Sequence, residues 1–480
     1  MKKIGVLIQK SESIFVNGCF QQAYFTMKAL KKCGYDVILI TADDDYTKFD
    51  YPQVEIRKIA YDGGWQDIDM VLFVSAFSDD NNILKLLKSK NIKIVNQIGG
   101  NYFILTQEQI IFDVHNRNFF IANDYIDEVW LLPMYSFMKS YLEVMGKRPV
   151  KVVPYVWDSE IIDEYCLQNK IDIRYNKNQN NDKITLVIME PNMSIHKTCM
   201  VPLVISEAID RKYHDRISKV LCFCPPDNKN FAKFANSLDI YKNNKLEFYP
   251  RMIMPSVLNM LKKFDTQIIL ISHNILNNLN FLPMEYLHLG YPVIHNSEPY
   301  CDVGYFYPNQ DVHKGLECFE RVINEHNKNY ESDKLKIKKK LQKFNPESQK
   351  NVNEYVGFLN NLFKKDEIEN NATNTSNTNN QIKLISAENG LPLIGSKDSF
   401  MIDKKTISSD SNENNDSNKK IKLIGRTKFK NDRIKLIGGT KFKSEKDNSE
   451  KNKEKRVSFS NENVYFVYDS KKNKLIKTNK

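Results

Sequence analysis

The chain contains no run of about 18 consecutive apolar residues, the length that a membrane-spanning helix needs, so no transmembrane segment is expected. The basic start Met1-Lys2-Lys3 is like that of a signal peptide. However, residues 4–8 are too few for its apolar core and no small-residue cleavage site follows, so a cytoplasmic protein is expected. Cys-x-x-Cys is also missing. The eight cysteines lie scattered at positions 19, 33, 166, 199, 222, 224, 301 and 318, which points to a reducing compartment and against a zinc ribbon or a disulfide scaffold. Cys222 and Cys224 are two apart on one expected strand and read as small buried hydrophobes. The glycine spacing of a dinucleotide-binding fingerprint is absent as well.

What is present suggests globular lobes followed by a polar tail. A length of 480 residues and a hydrophobic share of 41% allow sizeable cores, with roughly two to four domains. The net charge of +11 would usually suggest nucleic acid, but much of the excess lies in the C-terminal tail. With neither a groove nor a stacking platform in the sequence, specific nucleic-acid binding is not expected.

Residues 2–9 read as a strand, Asn17-Gly18 as a turn, and residues 19–32 as a helix with Ala23, Met27 and Leu30 on one side. Gly34 then ends that helix before a strand at 37–40, which makes a β-α-β opening and implies a parallel sheet. Asn17 and Gly18 sit at the first strand-to-helix crossing. They are candidates for contacting an acceptor substrate, or they form a plain tight turn. Short apolar strands at 70–75, 92–97 and 128–132 complete a Rossmann-like half. Asp43-Asp44-Asp45 and Asp79-Asp80 invite a metal reading but sit in polar loops with no histidine fixed nearby, so no metal site is expected. His115 is a candidate general base because imidazole titrates near neutral pH; a structural or exposed histidine is the alternative.

After a strand ending at Pro154 and an Asn-rich loop at 176–182, a second series of strands begins: 184–189, 219–224, 246–249, 267–272 and 292–295. Ligands of open parallel sheets collect beyond the carboxyl ends of the strands. The polar groups at those ends include Glu190, Asn192, Lys197, Arg251, His273 and Asn296. Lys197 and Arg251 are the cations of the set and suit a diphosphate. In residues 281–296, Pro283 fits a first helical turn, which puts the Glu285 carboxylate in that turn near the helix N-terminus; Gly290 stops the helix and Val293-Ile294 forms a buried strand. The aromatic residues 300–308 line a pocket or form an inter-domain contact, and amphipathic helices at 334–343 and 352–363 close the globular part.

From residue 364 the composition turns to Asn, Ser, Thr, Lys and Asp, too polar to order, and a disordered tail is expected. A decapeptide at 421–430 recurs at 434–443. Residues 455–459, with Val457 and Phe459 projecting from one face of an extended strand, resemble the Arg-Val-x-Phe docking motif of protein phosphatase 1 partners.

A wider resemblance rests on Asn17-Gly18, residues 127–130, residues 149–158, Glu190-Pro191-Asn192, residues 289–296 and Asp302-Val303-Gly304-Tyr305. Together these resemble a bacterial and giant-virus family of uncharacterised proteins related to GT-B glycosyltransferases, over roughly residues 1–362. For a viral member the cytoplasm would be the host's, or the location the virion. The resemblance implies two facing Rossmann-like domains with parallel sheets and no obligatory metal. Residues 1–158 would form the acceptor domain, 183–330 the nucleotide-sugar domain, 331–363 closing helices and 364–480 the tail. It further implies a sugar transfer from a nucleoside diphosphate donor, itself the substrate with no added cofactor, to a glycan, protein or lipid acceptor, with Glu285 on the donor ribose. Asn277 stands where many retaining relatives carry a second Glu, leaving either stereochemistry open. The rival reading is a non-catalytic scaffold whose tail recruits a phosphatase.

Overall fold

The structure is a computed structural model. It describes residues 1–7, 14–15, 18–41, 56–59, 63–75, 81–114, 124–177, 182–278, 280–376, 456–458, 464–469 and 474–479. Asn17, His115, Asp43-Asp44-Asp45, Asp79-Asp80, Phe459 and both decapeptides lie outside the described residues. Residues 1–385 form one compact unit and residues 386–480 another.

The first unit carries two all-parallel sheets. In the N-terminal lobe the strands are β1 (Lys3–Leu7), β2 (Asp36–Thr41), β3 (Ile56–Lys58), β4 (Met70–Val74), β5 (Lys93–Ile98), β6 (Glu128–Leu131) and β7 (Val150–Val152). Their spatial order is β3-β2-β1-β4-β5-β6-β7. The second lobe has β8 (Ile184–Ile188), β9 (Ile217–Phe223), β10 (Leu246–Tyr249), β11 (Gln267–Ser272), β12 (Val293–His295) and β13 (Tyr305–Phe306), in the order β10-β9-β8-β11-β12-β13. Each order reverses direction once, between β1 and β4 and between β8 and β11, as doubly wound sheets do. Every residue of β4 and β8 is buried, because helices cover both faces of a parallel sheet. The two-residue β13 and the three-residue β3 escaped sequence reading, being too short to show a period.

The helices are α1 (Gly18–Lys32), α2 (Asn81–Ser89), α3 (Tyr102–Phe112), α4 (Lys139–Gly146), α5 (Glu160–Gln168), α6 (Met200–Tyr213), α7 (Lys229–Ser237), α8 (Asp239–Lys242), α9 (Met254–Leu261), α10 (Phe281–His288), α11 (Val312–Leu341) and α12 (Gln349–Ser376). Gly34 (φ +89°) and Gly290 (φ +88°) end α1 and α10 in the left-handed conformation. At both, the glycine N–H and the next N–H reach back to the third- and fifth-preceding carbonyls, which satisfies the last carbonyls of the helix. The expected boundary at 330 falls inside the continuous helix α11, and α12 runs past residue 363.

One expectation about individual residues, that for Cys224, needs correction. In the aromatic stretch 300–308, Tyr300, Tyr305 and Tyr307 are buried in apolar clusters, whereas Cys301, Asp302 and Pro308 are exposed. Cys224 lies one residue past β9 with φ +55°, so it does not share a strand face with the buried Cys222. The tail contains described strands β14 (Arg456–Ser458), β15 (Val464–Asp469) and β16 (Lys474–Asn479), which form an antiparallel sheet with Val457 opposite Phe466.

The chain crosses back at its end: α12 packs on α1, and the buried Tyr355 hydroxyl donates to the Pro154 carbonyl at 3.0 Å while its ring lies against Trp130. Tyr355→Ala should lower unfolding stability by about 3–5 kcal/mol through the cavity it leaves. Tyr355→Phe should cost only about 1 kcal/mol, the worth of one hydrogen bond. Denaturant titration of both variants checks this.

Candidate functional site

The switch point between β8 and β11 is where an open sheet of this kind leaves a crevice, and most of the expected polar residues lie there. The loop leaving β8 is built around Asn192, whose φ of +52° suits Asn better than a branched residue. Its Nδ2 donates to the Glu190 and Cys224 carbonyls, and its Oδ1 accepts from the Cys199 N–H at 2.7 Å. The Asn192 N–H then closes onto the Lys197 carbonyl at 3.1 Å. Asn192 thus holds the loop rather than offering its amide to a ligand, which corrects its expected role. Asn296 is corrected likewise: its carboxamide is spent on the N–H and carbonyl of Asn274 at 2.9 and 2.7 Å.

Glu190 is buried. Its Oε1 accepts from Ser272 Oγ at 2.7 Å and from the His273 N–H at 3.1 Å, and its Oε2 has no hydrogen-bond partner among the described residues. Burial pushes its pKa up, and the Ser272 hydroxyl and the Lys197 charge oppose the rise. Lys197 is half-buried, and its Nζ reaches the Asn280 carboxamide at 3.4 Å. Desolvation lowers its pKa against the attraction of Glu190. Arg251 is exposed, adds repulsion to Lys197, and touches Met193 Sδ at 3.7 Å. His273 is buried with Nδ1 paired to the Tyr307 hydroxyl at 2.9 Å, and burial depresses its pKa to about 4. It is therefore a neutral imidazole, unsuited to hold a proton at neutral pH.

Helix α10 links this loop to Glu285. Asn280, its N-cap, meets Lys197, and Glu285 follows five residues on, about 7.5 Å along the axis. Glu285 lies in mid-helix, which corrects the expected first-turn position because α10 already starts at Phe281, and it is buried under α1, where it accepts from Gln21 Nε2 at 2.8 Å. Gly18, one turn earlier on α1, faces Phe281, one turn earlier on α10. A Cβ on Gly18 would come within 2.7 Å of the Phe281 ring. The close approach that requires glycine here is therefore to the opposite lobe, which is the physical reason for the residue.

Sequence reading missed the residues that join the lobes. Asn101, the N-cap of α3, donates to the Leu276 carbonyl at 3.0 Å. Glu108 Oε1 accepts from Ser194 Oγ at 2.9 Å and from the Ile195 N–H at 2.8 Å. The Tyr135 hydroxyl donates to Asn277 Oδ1. The one available signal was polar residues inside otherwise apolar helices, such as Gln21 and Gln22 in α1.

Among the described residues, no group of three or more His, Cys, Asp or Glu side chains is gathered as metal ligands, and no helix is long and apolar enough to cross a membrane. A cavity of about 30 Å³ lined by Arg174, Tyr175, Gln267 and Tyr291 lies at the amino ends of the strands, away from these residues.

Two doubly wound lobes in one unit, with loops of one bonded to helices of the other, define a two-domain α/β protein with a GT-B-like fold. The chain belongs to the family described as protein of unknown function DUF2827, whose model matches residues 4–359. Among curated proteins nothing matches it. Among solved structures it is similar to a UDP-forming α,α-trehalose-phosphate synthase from Burkholderia xenovorans, with 10% identity, TM-score 0.46, and coverage of 75% of this chain and 99% of that one. It is also similar to the UDP-GlcNAc 2-epimerase of Methanocaldococcus jannaschii, with 15% identity, TM-score 0.37, and coverage of 67% and 93%. A third is the S. aureus MnaA–UDP co-structure, with 12% identity, TM-score 0.40, and coverage of 76% and 97%.

Burial raises the Glu285 pKa from its ordinary 4.5 to about 7, with the Gln21 hydrogen bond opposing the rise. The folded protein then holds a proton that the unfolded chain releases between pH 4.5 and about 7, so this group's contribution to stability falls as pH rises through that window. Glu285→Gln, which keeps an oxygen for Gln21, should melt higher than wild type near pH 8. That gain should vanish towards pH 4.5, as melting curves across the range would show.

Proposed function

We propose that the protein transfers a glycosyl group from a nucleoside diphosphate sugar to a glycan, protein or lipid acceptor. The observation that carries this reading is the pairing of a desolvated lysine, Lys197, with the start of a helix whose next turns carry a buried carboxyl, Glu285, at the switch point of a parallel sheet. A diphosphate placed by Lys197 and a ribose placed by Glu285 would lie along one helix, with Arg251 at the outer edge. Glu285 would exchange its Gln21 hydrogen bond for one from a ribose hydroxyl.

In the reaction an acceptor hydroxyl oxygen bonds to the anomeric carbon of the sugar, and the bond from that carbon to the diphosphate oxygen breaks. The electron pair leaves with the diphosphate. Lys197 and Arg251 stabilise the charge that grows on that oxygen, and a cation held before the reaction begins needs little reorganisation to do so. In an inverting course the acceptor proton passes to a base, for which His115 is the proposed residue.

Melting the protein with uridine, guanosine and thymidine diphosphates tests the reading. One of them, at about 100 times its Kd, should stabilise the fold by about 2.7 kcal/mol. Lys197→Ala should remove that shift and lower transfer or donor hydrolysis by about 100-fold or more. If no diphosphate shifts the melting curve, the binding-scaffold reading stands instead.

A further inference from the structure

The carboxyl group of Glu108 belongs to the N-terminal lobe, yet its described hydrogen bonds go to the loop that carries Lys197. We propose that Glu108 is a positioning residue for the donor site, holding the 192–197 loop from across the lobe boundary so that Lys197 meets the diphosphate; the inference rests on the donor-site reading above.

The geometry comes from helix α3. Asn101 caps it, its Oδ1 accepting from the Ile104 N–H at 3.1 Å, while its Nδ2 donates across the boundary to the Leu276 carbonyl. Glu108 follows seven residues later. At 3.6 residues per turn, seven residues is about two turns, so both side chains lie on one face. That face meets two loops of the second lobe, the one after β11 and the one after β8. Both Asn101 and Glu108 are buried, so each of their polar atoms needs a partner.

Glu108 supplies the loop with an acceptor from the other lobe. The Lys197 N–H closes a turn onto the Ser194 carbonyl, and the described acceptor of the Ile195 N–H within it is Glu108 Oε1 at 2.8 Å. Ser194 Oγ donates to the same oxygen and also pairs with His196 Nδ1 at 2.7 Å. The His196 carbonyl in turn accepts the Ile275 N–H at 2.9 Å, tying the β8 loop to the β11 loop. One carboxyl oxygen therefore anchors residues 194 and 195, the second of them two residues before Lys197. A loop held at its start and closed by Asn192 at its base gives a flexible lysine a fixed root. That cuts the ordering cost of engaging a diphosphate.

The test uses the full-length protein with Glu108→Ala, Glu108→Gln and Lys197→Ala. Gln keeps an oxygen able to accept both hydrogen bonds; Ala keeps none. Amide hydrogen exchange is measured on residues 192–197 without ligand, and binding of the three nucleoside diphosphates is measured by calorimetry. Glu108→Ala should speed exchange at residues 194–197 about tenfold or more, leave β8 and α6 as in wild type, and weaken diphosphate binding about tenfold. Glu108→Gln should restore both readouts to within about threefold, which a loss of general stability would not do. Lys197→Ala should lose binding with exchange at residue 195 unchanged. Wild-type exchange in Glu108→Ala, or wild-type affinity despite fast exchange, overturns the positioning role. A wild-type protein that binds none of the three diphosphates overturns the donor reading instead, and with it the ligand half of this inference, while the exchange data still decide whether Glu108 orders the loop.

Discussion

The structure depends on a row of hydrogen bonds between its two lobes, with those of Glu285 and Asn277 fully buried. The loops of the second sheet and helix α10 present a peptide N–H, a hydroxyl, a carbonyl and two polar side chains to the first lobe: Ile195, Ser194, Leu276 and Asn277 from the loops and Glu285 from the helix. Each is matched by a group on α1, α3 or the turn at Tyr135. Leaving such groups without partners in a low-dielectric interior costs roughly 1–3 kcal/mol apiece, so the lobes are held in register by polar complementarity as well as by apolar contact. Around this seam runs a continuous apolar cluster, including Phe25, Phe281, Tyr155 and Met284, drawn from both lobes.

The same constraint explains the chemistry at the site. Burial raises the Glu190 and Glu285 pKa values and lowers that of Lys197. These three groups are ordinary side chains given unusual proton affinities by what covers them. Non-glycine residues in the left-handed conformation follow several strands: Ser75 directly after β4, Cys224 directly after β9 and Asn192 in the loop after β8. Such backbone costs of order 1–3 kcal/mol each and persists where surrounding structure fixes it. Here it turns the chain sharply at the carboxyl edge of each sheet, where the loops must face one another.

Much of the fold was legible in the sequence because its determinants are local. Apolar runs such as 70–74 and 184–188 are read directly as buried parallel strands, and Gly34 and Gly290 mark the ends of α1 and α10. The short β13 and the length of α11 were not legible: two residues show no period, and α11 is apolar on only part of its length. Within the candidate site, Glu190, Lys197 and His273 gather at the strand ends of one sheet, while Glu285 lies farther along α10 against Gln21. Sequence position failed for Asn192 and Asn296, because a side-chain amide that serves the backbone looks the same in sequence as one that serves a ligand.

By itself the sequence determined the two α/β lobes and the strand ends at which polar residues gather, because a strand or a helix cap is specified by neighbours a few positions away. Only the tertiary structure decided which of those residues serve the loops, which meet the other lobe and which acquire shifted proton affinities. The bonds responsible, Glu108 to Ser194, Asn101 to Leu276 and Gln21 to Glu285, join residues 86, 175 and 264 positions apart. No periodicity in a chain encodes a contact at such distances; it arises when two independently formed sheets are brought face to face and their buried polar groups find partners.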